Sequence, residues 1–375
     1  MLAILHTESS ANWGGQEYRA VEQMTWLSRR GYRVGIACPP SSAIAEQARR
    51  LGLTVHEETF SGNYNPAGWS RARLLLLRHK YDVVDCHGSR DSNAFALSRD
   101  LCPVVRTRHL AHPLKFSWRR HLMWHRGCDH VIATADCIKA MLVAHGLTSG
   151  NRVSVIGEWA APEFFGIAAK DRLRAEIRTQ LGLADDARIV VNVGMLRVDK
   201  GQDQLIRAAA LWRDRGCDAY LVLVGGATSE TDGYEAMLRR LVADLHLGDR
   251  VVFTGYRDDV HRFVLAADCQ VVASLAEAQS RSVPQAFAAV IPVVATRVGG
   301  VPELVEHDRS GLLVEPGDPD AIARSVVAVL TDGESARSRA ERARHFAERH
   351  LSLDAKMEET VALYERLAQS KRQRP

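Results

Sequence analysis

Two basic side chains, Arg197 and Lys200, stand close together in the run VVNVGMLRVDKGQDQLI, between a strand-like stretch and a helix-like one. A cation at a helix start opposes the macrodipole by roughly 0.3–1 kcal/mol when exposed, so the pair calls for a compensating anion. Free helix N–H groups, the dipole and two cations together suit a phosphate or diphosphate; the plainer alternative is two solvated surface charges. Further on, SLAEAQSRSVPQA sets Glu277 and Gln285 on either side of another strand-to-helix junction. Ser282-Val283-Pro284-Gln285 also fits an S-x-x-Q capping box, with Gln285 reaching back to the helix start. That reading accounts for Gln285 and leaves Glu277 unexplained.

Gly14 and Gly15, in SSANWGGQE, follow the first strand-like run and precede a helix, where a bare backbone can approach a ligand. A G-x-G-x-x-G pattern is missing there, which removes the main support for a dinucleotide-dependent dehydrogenase. Gly225-Gly226 and Gly299-Gly300 repeat the strand-end glycine pair, and three such pairs in parallel sheets would line one cleft. His109, in VVRTRHLAHP, suits donation to a hydroxyl or stabilisation of developing charge, with a structural role as the alternative. His121 and His125 share a helix face, but no third residue has metal-ligand spacing. With Trp118, Trp124 and the nearby arginines they read as a basic aromatic surface suited to a membrane interface or an anionic acceptor. Asp318-Pro319-Asp320 matches D-x-D formally; a helix N-cap with a first-turn carboxylate explains it better.

These residues need a scaffold, and the chain alternates β-rich runs with helical patterns in two stretches. LAILHT, YRVGIAC, TVHEE, DVVDCHG, PVVRTRH, HVIATA and RVSVI mark the first; RIVVNVG, AYLVLVGG, RVVFTG, CQVVASL, IPVVATR and GLLVEPG mark the second. Alternation of this kind implies parallel strands joined by right-handed helical crossovers. The fold class expected is α/β, two Rossmann-like parallel-sheet domains facing across a cleft, since ligands bind outside the carboxyl ends of parallel strands. Residues 1–160 form the first domain and 161–353 the second, with GEWAAPEFFGIAAKD as the connection. The helix from 354 to 375 is expected to pack back on the first.

At 375 residues, with 46% hydrophobic and 25% charged residues, the chain is long enough for two ordinary globular domains. No apolar run reaches the roughly 18 residues that span a bilayer, and MLAILHTESS lacks a basic segment leading a long apolar one. A cytoplasmic protein is expected. Seven scattered cysteines without a C-x-x-C pair read as reduced and mostly buried. Residues 1–165 hold 20 Lys+Arg and 14 Asp+Glu, net +6; the remainder, with 29 and 31, is net −2. Between Arg106 and His130 there are six Lys/Arg against Asp129 alone, so an anionic partner suits the first half.

Taken together, GGQE, RTRH, VGMLRVDKGQDQLI, VLVGG, VVFTGYRDDV, SLAEAQSRSVPQAFA, PVVATRVGGVPELV and SGLLVEPGD resemble the retaining family 4 glycosyltransferases with the GT-B fold, in family order over nearly the whole chain. The resemblance implies a nucleotide-diphosphate sugar donor on the second domain, an acceptor on the first, no obligatory metal, no cofactor and no nucleic acid partner. Arg197 and Lys200 would bind the donor diphosphate. Glu277, with Ala278, Gln279, Ser280, Arg281 and Ser282, would orient sugar hydroxyls. Gln285 would reach the ribose, Tyr256 and Arg257 would face the base, and Gly225 and Gly226 would border the donor. His109 would contact the sugar near the reacting carbon, and Gly14 and Gly15 would let the first domain's loop approach the diphosphate and acceptor. The acceptor expected is a glycan or a lipid-linked molecule in cell-envelope polysaccharide or lipopolysaccharide synthesis; the basic aromatic stretch 115–126, read from its own residues, adds an anionic acceptor and contact with the inner face of the membrane. A non-catalytic sugar-nucleotide or glycan-binding protein and a sugar-nucleotide epimerase are the alternatives. The family usually has glutamate at position 285 and glycine at 290, where this chain has Gln285 and Val290. An amide still hydrogen-bonds a ribose, at about 1 kcal/mol against roughly 1.5–3 for a charged partner.

Overall fold

The computed structural model describes residues 1–62, 64–112, 114–115, 117–227 and 233–373. It forms two compact units: Met1–Gly157 with the residues from Lys356 on, and Glu158–Ala355. In the first, β1 (Ala3–Thr7), β2 (Arg33–Cys38), β3 (Thr54–Glu57), β4 (Val83–Cys86), β5 (Val104–Arg108), β6 (His130–Ala133) and β7 (Val153–Val155) make one sheet in the order β3-β2-β1-β4-β5-β6-β7. In the second, β8 (Arg188–Val193), β9 (Ala219–Val224), β10 (Val251–Phe253), β11 (Cys269–Val272), β12 (Val293–Thr296) and β13 (Leu312–Val314) run β10-β9-β8-β11-β12-β13. Every named pair is parallel. Both units are therefore doubly wound α/β sheets, as the alternation implies.

Most strands are mainly apolar, as strands covered on both faces are; edge strand β3 (TVHE) and polar positions such as Asp85 and Arg106 depart from this. In the second unit two separate clusters lie on those faces, one around Val191, Val222 and Phe287, the other around Val190, Leu221 and Leu238. Local chemistry fixes where helices begin. Ser42 accepts from the Ala45 N–H, Asn65 precedes Pro66 and accepts from Ala67, and Asp318 precedes Pro319 and accepts from Ala321. Asp318 is thus an N-cap, the explanation preferred over a metal motif.

Strand order reverses between β1 and β4, and again between β8 and β11. At such a point the two following loops part to opposite faces and leave a crevice at the strands' carboxyl ends. In the first unit this gathers the segments after β1, β4 and β5; in the second, those after β8 and β11. The closing helix Leu353–Arg372 buries Met357, Thr360, Val361, Leu363, Tyr364 and Ala368. From it Tyr364 donates to Asp85 Oδ2 at 2.5 Å, and Arg372 pairs with Asp82.

Val290 marks a local cost. The helix Ser282–Ala288 ends in a tight reversal, with the Ile291 N–H on the Ala286 carbonyl and the Val290 N–H on that of Phe287. This geometry requires the left-handed region, and Val290 adopts φ 54°. A β-branched residue there carries strain that glycine lacks. Val290→Gly is expected to stabilise the protein by about 0.5–1 kcal/mol, read as a higher urea midpoint at unchanged slope; an unchanged or lower midpoint would show the site unstrained.

Candidate functional site

In the second unit, the β8/β11 switch point brings together two segments 77 residues apart in sequence. Lys200 Nζ lies 2.7 Å from Glu277 Oε2, and the Ser274 hydroxyl donates to the same oxygen at 3.1 Å. Both side chains are largely covered, at 24% exposure for Lys200 and 12% for Glu277. Backbone contacts reinforce the join: the Asp199 carbonyl accepts from the N–H groups of Leu275 and Ala276. Gly201, at φ 63°, turns the chain into the next helix, and a Cβ there would stand 2.1 Å from the Ala273 carbonyl oxygen. Gly299, at φ 50°, lets a third loop close on the second, since a Cβ would meet the Glu277 carbonyl oxygen at 1.7 Å. The neighbouring Gly300 N–H donates to the Ala278 carbonyl.

Arg197 lies on the same segment as Lys200, with its Nε 2.9 Å from Asp199 Oδ1 and its side chain 41% exposed. The segment between β8 and the next helix thus carries two cations, each holding a carboxylate. An arriving diphosphate would compete with Asp199 and Glu277 for them, and charge-assisted hydrogen bonds to phosphate are strong enough to do so.

Residues 278–285 divide their work. The Gln279 side-chain oxygen accepts from the Glu158 N–H at 2.5 Å, so it is committed within the unit. Ser280 and Ser282 share a hydroxyl–hydroxyl hydrogen bond, and the Arg281 guanidinium lies over the Trp159 ring. The capping-box reading of Gln285 fails. Arg281, not Ser282, occupies the cap position with helical backbone, and no side-chain cap bond forms. Ser282 is already inside the helix, its hydroxyl spent on Ser280, so nothing completes the box. Gln285 is buried and its Oε1 has no hydrogen-bond partner among the described residues.

Gly225 and Gly226 hold loops together: the Gly225 N–H donates to Gly255 and the Gly226 carbonyl accepts from Leu196. Tyr256 is well exposed, while Arg257 is held in a two-point pair with Asp259.

The remaining sequence candidates lie in the first unit. Gly14 precedes the helix Gly15–Arg29 and donates its N–H to Glu17, and a Cβ on Gly15 would meet nothing within 4 Å. His109 follows β5 and lines a cavity of about 320 Å3 with Glu8, Gln16, His87, Arg90 and Arg108, among others. Behind it runs a chain of imidazoles: His109 Nε2 is 3.1 Å from His87 Nδ1, and His87 Nε2 is 3.0 Å from His6 Nδ1. Burial, then His87, holds His109 well below its ordinary pKa, and His6 is pushed down to about 3 in the same way, so both stay neutral at physiological pH. Asp85 beside them accepts from the hydroxyls of Thr107 and Tyr364. Donor atoms of His6, Asp85 and His87 all lie within 4.8 Å of one another, and hydrogen bonds engage each residue. His125 Nε2 lies 2.6 Å from the Gly146 carbonyl oxygen, in keeping with the weak case for a His121–His125 metal pair.

Glu8, His6, Asp85 and His87 escaped the sequence reading, although HTE and DCH place polar residues at the ends of the apolar strands β1 and β4. A polar side chain at a buried strand position needs a partner, and that need is the available signal.

Lys200→Ala is expected to destabilise the protein by about 1.5–3 kcal/mol, because it strands a covered carboxylate. Adding Glu277→Ala should cost less than the sum of the two single changes; strict additivity in urea unfolding would show that the pair is not coupled.

Two family descriptions match this chain: "Glycosyltransferase Family 4" over residues 13–159 and "Glycosyl transferases group 1" over residues 174–346. The N-acetyl-alpha-D-glucosaminyl L-malate synthase of Bacillus anthracis is 30% identical over 299 residues, 75% of this chain and 74% of that protein. The D-inositol 3-phosphate glycosyltransferase of Corynebacterium glutamicum (strain R) is 27% identical over 363 residues, 88% of this chain and 87% of that one. Among solved structures, a glycosyltransferase from Rickettsia africae ESF-5 superposes with a TM-score of 0.87 at 19% identity, covering 98% of both chains. HepE of Anabaena, solved with UDP and glucose, gives 0.83 at 22% identity over 97% of this chain and 100% of that one. Matches on both halves, and a relative aligned over three quarters of the chain, make this protein a member of the family 4 glycosyltransferases, built on the GT-B fold.

Proposed function

We propose that the protein moves a sugar, with retention of configuration, from a nucleotide-diphosphate sugar to a glycan or lipid-linked acceptor of the cell envelope. The observation that carries this reading is the Lys200–Glu277 pair at the β8/β11 switch point, with Arg197 on the same segment. Cleavage of the bond from the anomeric carbon to the phosphate leaves a nucleoside diphosphate, and Lys200 and Arg197 supply fixed positive charge for it. Glu277 orients the sugar hydroxyls with the backbone of residues 278–282. Gln285, buried with an idle carbonyl oxygen, takes the ribose, and the exposed Tyr256 takes the base. His109 sits by the reacting carbon as a neutral hydrogen-bonding group. The acceptor hydroxyl attacks on the face the diphosphate leaves, and its proton passes to the departing phosphate oxygen. No enzymic nucleophile or separate base enters this scheme.

The acceptor belongs to the first unit, and its basic stretch favours an anionic one. Two relatives are named for anionic compounds, L-malate and D-inositol 3-phosphate. Among the described residues no helix is long and apolar enough to cross a membrane. The helix Trp118–Arg126 nonetheless exposes Trp118 and Leu122 beside Arg119 and Arg120, which suits peripheral contact with an anionic bilayer. Residue 116, within the 115–126 stretch, lies outside the described residues.

Incubation with radiolabelled nucleotide sugars and envelope extract should move label to acceptor, and Lys200→Ala should slow transfer by about 10²–10³-fold. Tight donor binding without turnover, or conversion of the sugar nucleotide with no acceptor present, would contradict transfer. Gln285→Glu should tighten donor binding by up to about tenfold through a charge-assisted bond; unchanged affinity would remove the ribose role.

A further inference from the structure

The cavity in the first unit holds a feature that transfer chemistry does not use. Glu8, at the end of β1, is 1% exposed yet lines this cavity. Its carboxyl is fixed at two points: Oε1 accepts from the Ser10 N–H at 2.8 Å, and Oε2 from Gln16 Nε2 at 2.5 Å. Arg90 and Arg108 line the same cavity. Burial, then Arg106 and Arg120, pushes Arg108 down to about 10, so it remains a cation; one Nη donates to the His112 carbonyl, but no carboxylate pairs with it and its buried Nε has no hydrogen-bond partner among the described residues. A cavity edged by two arginines invites an anion; a buried carboxyl in its wall would oppose one unless it carried a proton.

We propose that this cavity is a subsite for a phosphate or carboxylate group of the acceptor, in which Arg90 and Arg108 hold the anion and Glu8 donates a hydrogen bond as the neutral acid. The inference rests on the reading of the first unit as the acceptor side and deepens it by naming the group that selects the acceptor.

The surroundings of Glu8 support its protonation. Burial, then the nearby Asp91, pushes its carboxyl up to about 8, against hydrogen bonds from Gln16 and Ser10 that favour the anion. Acting on it are Glu17 from the helix Gly15–Arg29, Cys38 from β2 and Asp91 from the helix Ser89–Phe95, and the cavity it lines is also bordered by His87 after β4, Arg90 from that last helix, and Arg108 and His109 at the end of β5. Cys38, pushed up to about 11, Arg108 near 10 and His109, well below its ordinary value, all keep one charge state between pH 6.5 and 9. The sign follows: below about pH 8 Glu8 is neutral and the cavity is cationic, whereas above it a carboxylate forms and repels the anion. Because the folded protein holds this proton where the unfolded chain has lost it, stability falls as pH rises from the ordinary carboxyl range through about 8.

Sulfate and tartrate are suitable probes, since neither titrates between pH 6.5 and 9 and they mimic phosphate-type and carboxylate-type groups. Calorimetric titration of the full-length protein should show affinity falling by about tenfold from pH 6.5 to 9 in wild type and by less than about twofold in Glu8→Gln. Arg108→Gln should abolish the pH-dependent binding, and the tighter probe identifies the anion class. Without ligand, Glu8→Gln should melt above wild type at pH 9. Affinity independent of pH in wild type, equal pH dependence in Glu8→Gln, or binding indifferent to Arg108→Gln would each overturn the proposal. Sulfate binding is read without sugar transfer, so a protein that passes this test and transfers nothing keeps the anion site and loses both the transferase reading and the assignment of that site to an acceptor.

Discussion

The ion pair between Lys200 and Glu277 is the contact around which the second unit's crevice is organised. It unites the segment that leaves β8 with the one that leaves β11, and the sheet order makes these segments neighbours at a point where helices depart to opposite faces. One partner is a cation suited to a diphosphate and the other a carboxylate suited to sugar hydroxyls. Holding both in a partly covered site costs desolvation, which their mutual attraction and the Ser274 hydroxyl offset. The backbone is set before any ligand arrives: the Asp199 carbonyl fixes the turn at 275–276, and Gly201 and Gly299 allow loops to approach closer than any side chain would permit. Such preorganisation is what electrostatic stabilisation of a leaving group requires.

The first unit solves a different problem with the same topology. Its switch point carries buried polar groups: hydrogen bonds join His109, His87 and His6 in a row, and beside that row Asp85 accepts from Thr107 and from Tyr364 of the closing helix, while His6 Nε2 has no partner among the described residues. A buried polar group without a partner costs about 1–3 kcal/mol, so this network holds together as a unit. The closing helix thus secures the polar interior of the sheet as well as covering apolar surface.

Much of this was legible in the sequence, for identifiable reasons. Alternating apolar runs gave the two parallel sheets because strands covered on both faces must be apolar, and Asp318 announced its cap by the proline after it. Arg197 and Lys200 stood out because cations near a helix start need an anion. The resting partner of Lys200 did not, since Lys200 and Glu277 meet only through sheet order, which local sequence does not encode. The capping box misled because S-x-x-Q describes a spacing, whereas a cap needs an extended backbone, and Arg281 already turns helically. Val290 was visible as a departure, and only its left-handed backbone shows why glycine would suit the position. Glu8 stayed hidden because its importance comes from burial and from Arg90 and Arg108, which lie far away in sequence.

The central claim is a division of labour in which Lys200 serves the diphosphate and Glu277 the sugar. Calorimetry with a bare nucleoside diphosphate and with its sugar conjugate, on Glu277→Gln and Lys200→Ala, tests it most directly. The account predicts that Lys200→Ala weakens both ligands, whereas Glu277→Gln weakens only the conjugate and leaves the bare diphosphate unchanged or tighter. Equal losses for both ligands in Glu277→Gln would contradict it.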